Sequence, residues 1–143
     1  FTHEPAIALS EALVKILPEG QQKLFFNDNG STATEIGIKM ALQYHHNLGN
    51  DRKVMLAFED GFHGDTFGAM SASGLSVYNG AFEDHFIRVA RIPVPDGTNH
   101  AEVISILKEK VFSNHLVLLF VYFVLQQNFE SSFHFLCFSD LLL

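Results

Sequence analysis

The sequence has little of several residue types that mark other classes of protein. Its 143 residues include one cysteine, Cys137, which excludes an internal disulfide and fits a reducing compartment such as the cytoplasm. Nine Lys and Arg stand against sixteen Asp and Glu, and the net charge of −7 argues against nucleic-acid binding. The eight histidines form no H-E-x-x-H motif, so we expect no metal site.

Long apolar runs are also scarce. Residues 116–125 form an unbroken apolar run of ten. A membrane-spanning helix needs about 20 such residues, so we expect no membrane association and interpret this run as a buried central strand. Residues 1–17 are charged and amphipathic, and they contain no recognisable signal peptide.

A polar turn links a short apolar stretch to a long amphipathic pattern near the start of the chain. Residues 23–26 are typical of a buried strand, and apolar side chains at helical spacing predict a helix over 31–48. Gly30, Ser31 and Thr32 would then lie at a helix N-terminus, where unpaired N–H groups and the helix dipole attract an anion. The alternative is an ordinary helix cap that binds nothing, since the turn has neither a Walker lysine nor a G-x-G-x-x-G pattern.

A second strand-to-turn transition follows about thirty residues later. The strand-like residues 53–58 lead into residues 59–66, which include Phe62 and His63. Ligands of open α/β sheets bind beyond the carboxyl ends of the strands, where both turns would lie. An anion site beside an aromatic ring suits the phosphate of an aromatic cofactor.

The wider pattern alternates strands with helices. Such alternation predicts a doubly wound, mostly parallel α/β domain. After a first helix over residues 5–17, the expected elements are strand 23–26, helix 31–48, strand 53–59, helix 64–73, strand 86–92 and helix 99–112.

Two stretches of the chain resemble a known family. Residues 25–35, followed by 39–44, resemble the phosphate-binding turn and helix of the class III, fold type I, pyridoxal-phosphate aminotransferases. Residues 62–71 resemble the aromatic-His-Gly loop of the same family. The resemblance implies that residues 1–113 are part of the large cofactor-binding domain of a homodimeric enzyme.

Within the family, the sequence of residues 64–71 is most similar to that of the members that act in biotin biosynthesis. Those members transfer an amino group from S-adenosylmethionine to 8-amino-7-oxononanoate. Another class III aminotransferase, which uses an ω-amino acid or an ornithine-like donor, is the alternative within the family.

The resemblance assigns the cofactor site to particular residues. Gly30 and Ser31 would bind the phosphate of pyridoxal 5′-phosphate through their N–H groups and the serine hydroxyl, and Thr32 is a weaker candidate. Phe62 would stack on the pyridoxal ring close to the substrate. The family usually has Tyr at this position; Phe keeps the stacking face but has no hydroxyl, so we do not expect the substrate hydrogen bond that such a hydroxyl would make.

Two further residues have both structural and functional interpretations. His63 either bridges loop backbones or contacts the cofactor directly. Glu35 is expected to cap its own turn near Thr32, or to pair with Lys39 four residues later.

Residues that transamination requires do not occur in this sequence. The family uses a lysine that bonds covalently to the cofactor aldehyde, together with an acidic partner for the pyridine nitrogen. The lysines after the loop, Lys108 and Lys110, lie in a helix-like segment with different neighbours. We therefore assign no catalytic residue and expect the chain alone to be inactive.

Residues 114–143 differ in character from the rest. No Lys or Arg follows Lys110, Phe recurs often, and the family's continuation does not occur here. We interpret this apolar tail as the product of a shifted reading frame or an unspliced intron. The alternative is a genuine non-catalytic product that binds a phosphate ligand and uses its tail as an interaction surface.

Overall fold

The computed structural model describes residues 3–17, 23–113, 116–117 and 134–136. Within these residues, helices and strands alternate as predicted, with a 3-10 helix (Gly80–His85) that the sequence pattern did not indicate. The elements are α1 (Glu4–Val14), β1 (Phe25–Asn27), α2 (Gly30–Asn47), β2 (Val54–Phe58), α3 (Phe67–Ala72), β3 (Val89–Ile92), α4 (His100–Ser113), β4 (Leu116–Val117) and β5 (His134–Leu136).

The main sheet is parallel and has β2 at its centre. The strand order is β3-β2-β4, with Met55 opposite Val89 and Val54 opposite Leu116. A strand at the start of the apolar run is therefore confirmed for residues 116–117, and among the described strands it lies at the edge of the sheet rather than at its centre. The remainder of that run, 118–125, lies outside the described residues.

Strand β1 does not belong to this parallel sheet. It pairs antiparallel with β5, and Phe26 lies opposite Phe135. The simple alternation of strand and helix suggested that β1 would join its successors in one sheet, and that part of the expectation is wrong. The pairing depends on a partner more than one hundred residues away, which local patterns do not reveal.

Helices cover both faces of β2. Successive side chains of a strand point to opposite sides, so neighbouring residues of β2 contact different helices. Met55, 2% exposed, packs with Ile38 of α2 and Ala72 of α3. Leu56 packs on the other face with Val103 of α4. A fully buried side chain of this size contributes about 1.5–3 kcal/mol, so both layers stabilise the strand. This is the helix-sheet-helix arrangement expected of a doubly wound domain.

The ends of α2 follow from its sequence. The side chain of Asn29 accepts a hydrogen bond from the Thr32 N–H and caps the first turn. The predicted end at residue 48 agrees to within one residue with the observed end at Asn47, and Gly49 terminates the helix with a φ of 70° and an N–H that donates to the carbonyl of His46. The helix consequently presents its N-terminus at residues 30–32, as predicted.

Helix α1 begins as predicted, with Pro5 in its first turn, but it ends at Val14 and not at Leu17. None of its residues is buried. In the described part of the chain, no helix has both the length and the apolarity needed to cross a membrane.

The tail lies mostly outside the described residues. Of residues 114–143, the structure describes 116–117 and 134–136. The interpretation of residues 114–143 as frameshifted or intron-derived stays a prediction.

Candidate functional site

The start of α2 and the loop after β2 lie against each other. The N–H of Asp65 donates to Ser31 Oγ at 3.1 Å, and Thr34 Oγ1 donates to the carbonyl oxygen of His63 at 3.0 Å. We call residues 27–32 the polar turn and residues 59–66 the aromatic loop. The two stretches singled out in the sequence are thus neighbours in space, just beyond the carboxyl end of β2.

The polar turn leaves two amide groups available to a ligand. Among the residues that the structure describes, none accepts a hydrogen bond from the N–H of Gly30 or Ser31. Thr32 differs, because its N–H donates to Asn29 Oδ1 at 2.9 Å and its hydroxyl donates to Asp28 Oδ1 at 2.7 Å. That hydroxyl contact lowers the pKa of Asp28, which is ionised at neutral pH. Thr32 therefore shapes the turn, while Gly30 and Ser31 present donors at its surface.

Gly64 allows the aromatic loop to approach the polar turn closely. Its φ of 119° lies in a region that residues with a Cβ rarely adopt. A Cβ at this position would also lie 2.7 Å from Ser31 Cα, well inside van der Waals contact. Both the backbone conformation and the available space thus require glycine here.

Phe62 and His63 occupy the aromatic loop in different ways. The side chain of Phe62 is 71% exposed, so its ring is open to a ligand. The N–H of His63 donates to Ser73 Oγ at 2.9 Å, and its carbonyl oxygen accepts from Thr34. Burial lowers the pKa of His63, which favours the neutral imidazole. These contacts favour the structural interpretation, in which His63 bridges neighbouring segments.

Glu35 has a different role from the one expected. Its Oε2 accepts hydrogen bonds from Thr66 Oγ1 at 2.6 Å and from the Ala69 N–H at 3.2 Å. The prediction that it caps its own turn or pairs with Lys39 is wrong, because the carboxylate reaches across to the start of α3. Its spacing carried a signal: Glu35 lies four residues after Ser31, on the same face of α2.

Sequence reasoning also missed two residues that hold the site together. Thr34 is fully buried, and its hydroxyl lies within hydrogen-bond distance of the carbonyl oxygens of both Gly30 and His63. Arg91 Nη2 lies 2.8 Å from the carbonyl oxygens of Ser71 and Ser73, at the end of α3. A threonine inside a helix and an arginine on a strand have no distinctive local pattern, so only the tertiary structure reveals these contacts.

Lys108 and Lys110 lie on α4, as predicted, on the face of the sheet opposite to α2 and α3. Neither is therefore near the polar turn. Across the described ranges, the structure brings together no group of three His, Cys, Asp or Glu side chains that could hold a metal ion.

Comparison with known proteins agrees with this arrangement. The model of the family described as aminotransferase class-III matches residues 1–115, which is most of the chain. The chain belongs to the class III aminotransferase family. The family carries the pyridoxal-phosphate cofactor expected from the sequence resemblance, and its fold type I architecture agrees with the α/β layers described above.

Two similar curated proteins share one name. The chain is 52% identical over 96 residues to adenosylmethionine-8-amino-7-oxononanoate aminotransferase of Synechococcus elongatus, covering 67% of this chain and 23% of that protein. It is 39% identical over 92 residues to the Aquifex aeolicus enzyme of the same name, covering 64% of this chain and 20% of that enzyme. The chain therefore spans less than a quarter of the length of these relatives.

Solved structures of the class III family show the same fold. The crystal structure of adenosylmethionine-8-amino-7-oxononanoate aminotransferase from Methanocaldococcus jannaschii superposes with a TM-score of 0.72 at 31% identity. The match covers 80% of this chain and 27% of that one. A PLP-bound amine transaminase from an uncultivated Pseudomonas species has a TM-score of 0.67 at 24% identity, covering 78% of this chain and 28% of that one, which supports the fold alone.

Proposed function

We propose that this chain forms the phosphate-binding part of a pyridoxal-phosphate aminotransferase. We further propose that the whole enzyme transfers an amino group from S-adenosylmethionine to 8-amino-7-oxononanoate in biotin biosynthesis. The observation that carries the first proposal is the contact between Ser31 and Asp65, which places two available amides next to the loop that bears Phe62. The names of the curated relatives support the second.

The polar turn fits the phosphate of the cofactor. The N–H groups of Gly30 and Ser31 lie at the positive end of an 18-residue helix, where an anion is stabilised. Because Ser31 Oγ already accepts from the Asp65 N–H, its own proton can be donated to a phosphate oxygen. Thr32 supports this cradle by holding the turn in shape.

The aromatic loop fits the cofactor ring. Phe62 offers an exposed face for stacking on a flat heterocycle, and it would also contact the substrate. His63 holds the loop in place through its backbone, and burial lowers its pKa, which favours the neutral imidazole. When bound, the cofactor supplies the electron sink for transamination.

The chain by itself is expected to bind without catalysing. No lysine follows Lys110, and Lys108 and Lys110 lie on the far side of the sheet from the polar turn. We therefore expect the covalent attachment point for the cofactor to come from a part of the enzyme that this chain does not span. Transaminase activity of the purified 143-residue chain would contradict this expectation.

Binding of pyridoxamine 5′-phosphate tests the cofactor proposal directly. This form of the cofactor has no aldehyde, so its binding does not require a lysine. In equilibrium dialysis with the 143-residue chain, we expect it to bind at least about tenfold more tightly than pyridoxamine, because charge-assisted hydrogen bonds to the phosphate contribute roughly 1.5–3 kcal/mol each.

Ser31→Ala should reduce this preference for the phosphorylated form. Ser10→Ala is the matched control, since Ser10 also lies in a helix, on α1, and its hydroxyl donates only to the nearby carbonyl of Ala6. Equal binding of the phosphorylated and unphosphorylated amines would refute the proposed site.

A panel of amino donors, offered to the full-length enzyme that contains this chain, tests the proposed reaction. We expect S-adenosylmethionine to be the efficient donor. Faster turnover with ornithine or another ω-amino acid would favour the alternative class III function. The homodimer and the cytoplasmic location stay predictions, which sedimentation and cell fractionation would test.

A further inference from the structure

Helix α3 is too short to be stable by itself. It has six residues, whereas isolated helices shorter than about 12–15 residues are marginal in water. Its N-cap residue, Thr66, makes no side-chain capping bond to the helix. The carboxylate of Glu35 takes that place from α2, accepting from the N–H of Ala69 and from the Thr66 hydroxyl. A negative charge at this end also complements the helix dipole.

The opposite end of α3 is held by a positive charge. Arg91 Nη2 donates to the carbonyl oxygens of Ser71 and Ser73, both at 2.8 Å. Arg91 Nε also lies 3.3 Å from the Ser73 carbonyl oxygen. Cations stabilise helix C-termini for the same reason that anions stabilise N-termini. Two charged side chains, from α2 and β3, thus complement both ends of one short helix.

The N-terminal end of α3 is directly connected to the aromatic loop of the candidate site. The aromatic loop runs straight into α3, and Asp65 in that loop contacts Ser31. Glu35 lies one helical turn after Ser31 on α2, so the same helix carries the polar turn and the group that fixes α3. Gly68 makes room for the carboxylate, because a Cβ there would lie 2.5 Å from Glu35 Oε2.

We infer that Glu35 and Arg91 are positioning residues that fix α3 and thereby hold the aromatic loop against the polar turn. They act through the helix and touch no ligand. The link to cofactor binding rests on the proposed function, whereas the placement of the loop can be measured in the unliganded chain.

Amide hydrogen exchange in the unliganded 143-residue chain tests the placement. In Glu35→Ala, we expect the amides of Asp65 and Ala69 to exchange about tenfold faster or more, because loss of a charge-assisted bond opens the segment locally. The amide of Met55, which donates to the Arg88 carbonyl in the core sheet, should be unchanged. Glu35→Gln keeps an acceptor of similar size and should restore part of the protection.

Matched controls separate this effect from a general loss of charge. Glu102→Gln removes the same charge from an exposed position on α4, and Arg88→Met controls for Arg91→Met. Both controls should leave Asp65 and Ala69 protected. If Asp65 and Met55 exchange faster by the same factor in Glu35→Ala and in Arg91→Met, the two residues act only on overall stability and the inference is overturned. Unchanged exchange at Asp65 and Ala69 in both variants would overturn it as well.

Titration with pyridoxamine 5′-phosphate then tests the connection to the ligand. Glu35→Ala and Arg91→Met should bind it about tenfold more weakly, and Glu102→Gln and Arg88→Met should bind it as the unsubstituted chain does. If the unsubstituted chain itself does not bind this ligand, the proposed function fails, but the exchange experiment still decides whether Glu35 and Arg91 position the loop.

Discussion

The polar turn and the aromatic loop form one site but are stabilised in different ways. In the polar turn, Thr32 bonds to Asn29 and Asp28, which lie within four positions of it. The aromatic loop depends on partners about thirty positions away, including the contact of Ser31 with Asp65. The turn is thus encoded locally, whereas the loop exists only when the tertiary structure is formed. Substitutions that remove long-range contacts should therefore affect the site more than those that remove local ones.

The largest effect is expected at Gly64, where the two regions meet. Gly64→Ala adds backbone strain of about 1–3 kcal/mol and forces a steric overlap with Ser31. Urea denaturation should show a loss of about 3 kcal/mol in the free energy of unfolding, a value typical of strain combined with overpacking. Binding of pyridoxamine 5′-phosphate should also be lost.

Gly97→Ala is the control for backbone strain, because Gly97 has a φ of 87° and, apart from its chain neighbours, no described residue has an atom within 4 Å of the position that a Cβ would take. This substitution should lower the free energy of unfolding by about 1–2 kcal/mol, which is the cost of the left-handed backbone conformation alone. Equal losses in the two variants would contradict the close contact between loop and turn.

A smaller loss of stability is expected at Thr34, whose buried hydroxyl contacts both the polar turn and the aromatic loop. Thr34→Val keeps the shape but leaves the carbonyl oxygen of His63 without this buried donor, so the free energy of unfolding should fall by about 1–2 kcal/mol. Thr98→Val removes only an exposed local bond to Asp96 and should change it by less than about 0.5 kcal/mol. A larger loss for Thr98→Val would contradict the ranking of long-range over local contacts.

Within the polar turn, the cap residue should matter modestly. Asn29→Ala removes the acceptor for the Thr32 N–H, and loss of such a cap costs about 1 kcal/mol. Circular dichroism should show little change in helix content, since α2 continues for eighteen residues. The rate of amide exchange should increase more at Thr32 than at Asp65. A larger increase at Asp65 than at Thr32 would mean that contacts with the aromatic loop, and not the local cap, stabilise the polar turn.

The smallest effect on stability is expected from the protonation of His63 as the pH changes. Burial lowers the pKa of His63 below its unfolded value near 6.5. The unfolded chain then binds more protons than the folded one between the lowered pKa and about 6.5, so stability falls as the pH drops through that range. His63→Asn should flatten this part of the pH profile of unfolding, and His46→Asn, at an exposed position, should not. An unchanged slope in His63→Asn would contradict the prediction.

The same distinction explains which features the sequence could predict. The start of α2 at the polar turn and its end near Gly49 depend on local chemistry, and both were predictable. The long-range features were not. The pairing of β1 with β5 and the contact of Glu35 with α3 depend on how distant segments meet. That the two loops are neighbours was predicted from the rule that ligands of open α/β sheets bind beyond the carboxyl ends of the strands, and the family resemblance agreed with it.

The central position of β2 also has a consequence for the order of folding. Its residue Val54 pairs with Leu116, so this edge of the sheet closes only when segments about sixty positions apart have met. Such distant pairings form slowly, because the entropy of closing the intervening chain must be overcome first. During synthesis, the helix that begins at Gly30 can form early, whereas β2, which leads into the loop that bears Phe62, completes its pairing later. The candidate site is therefore assembled from an early half and a late half.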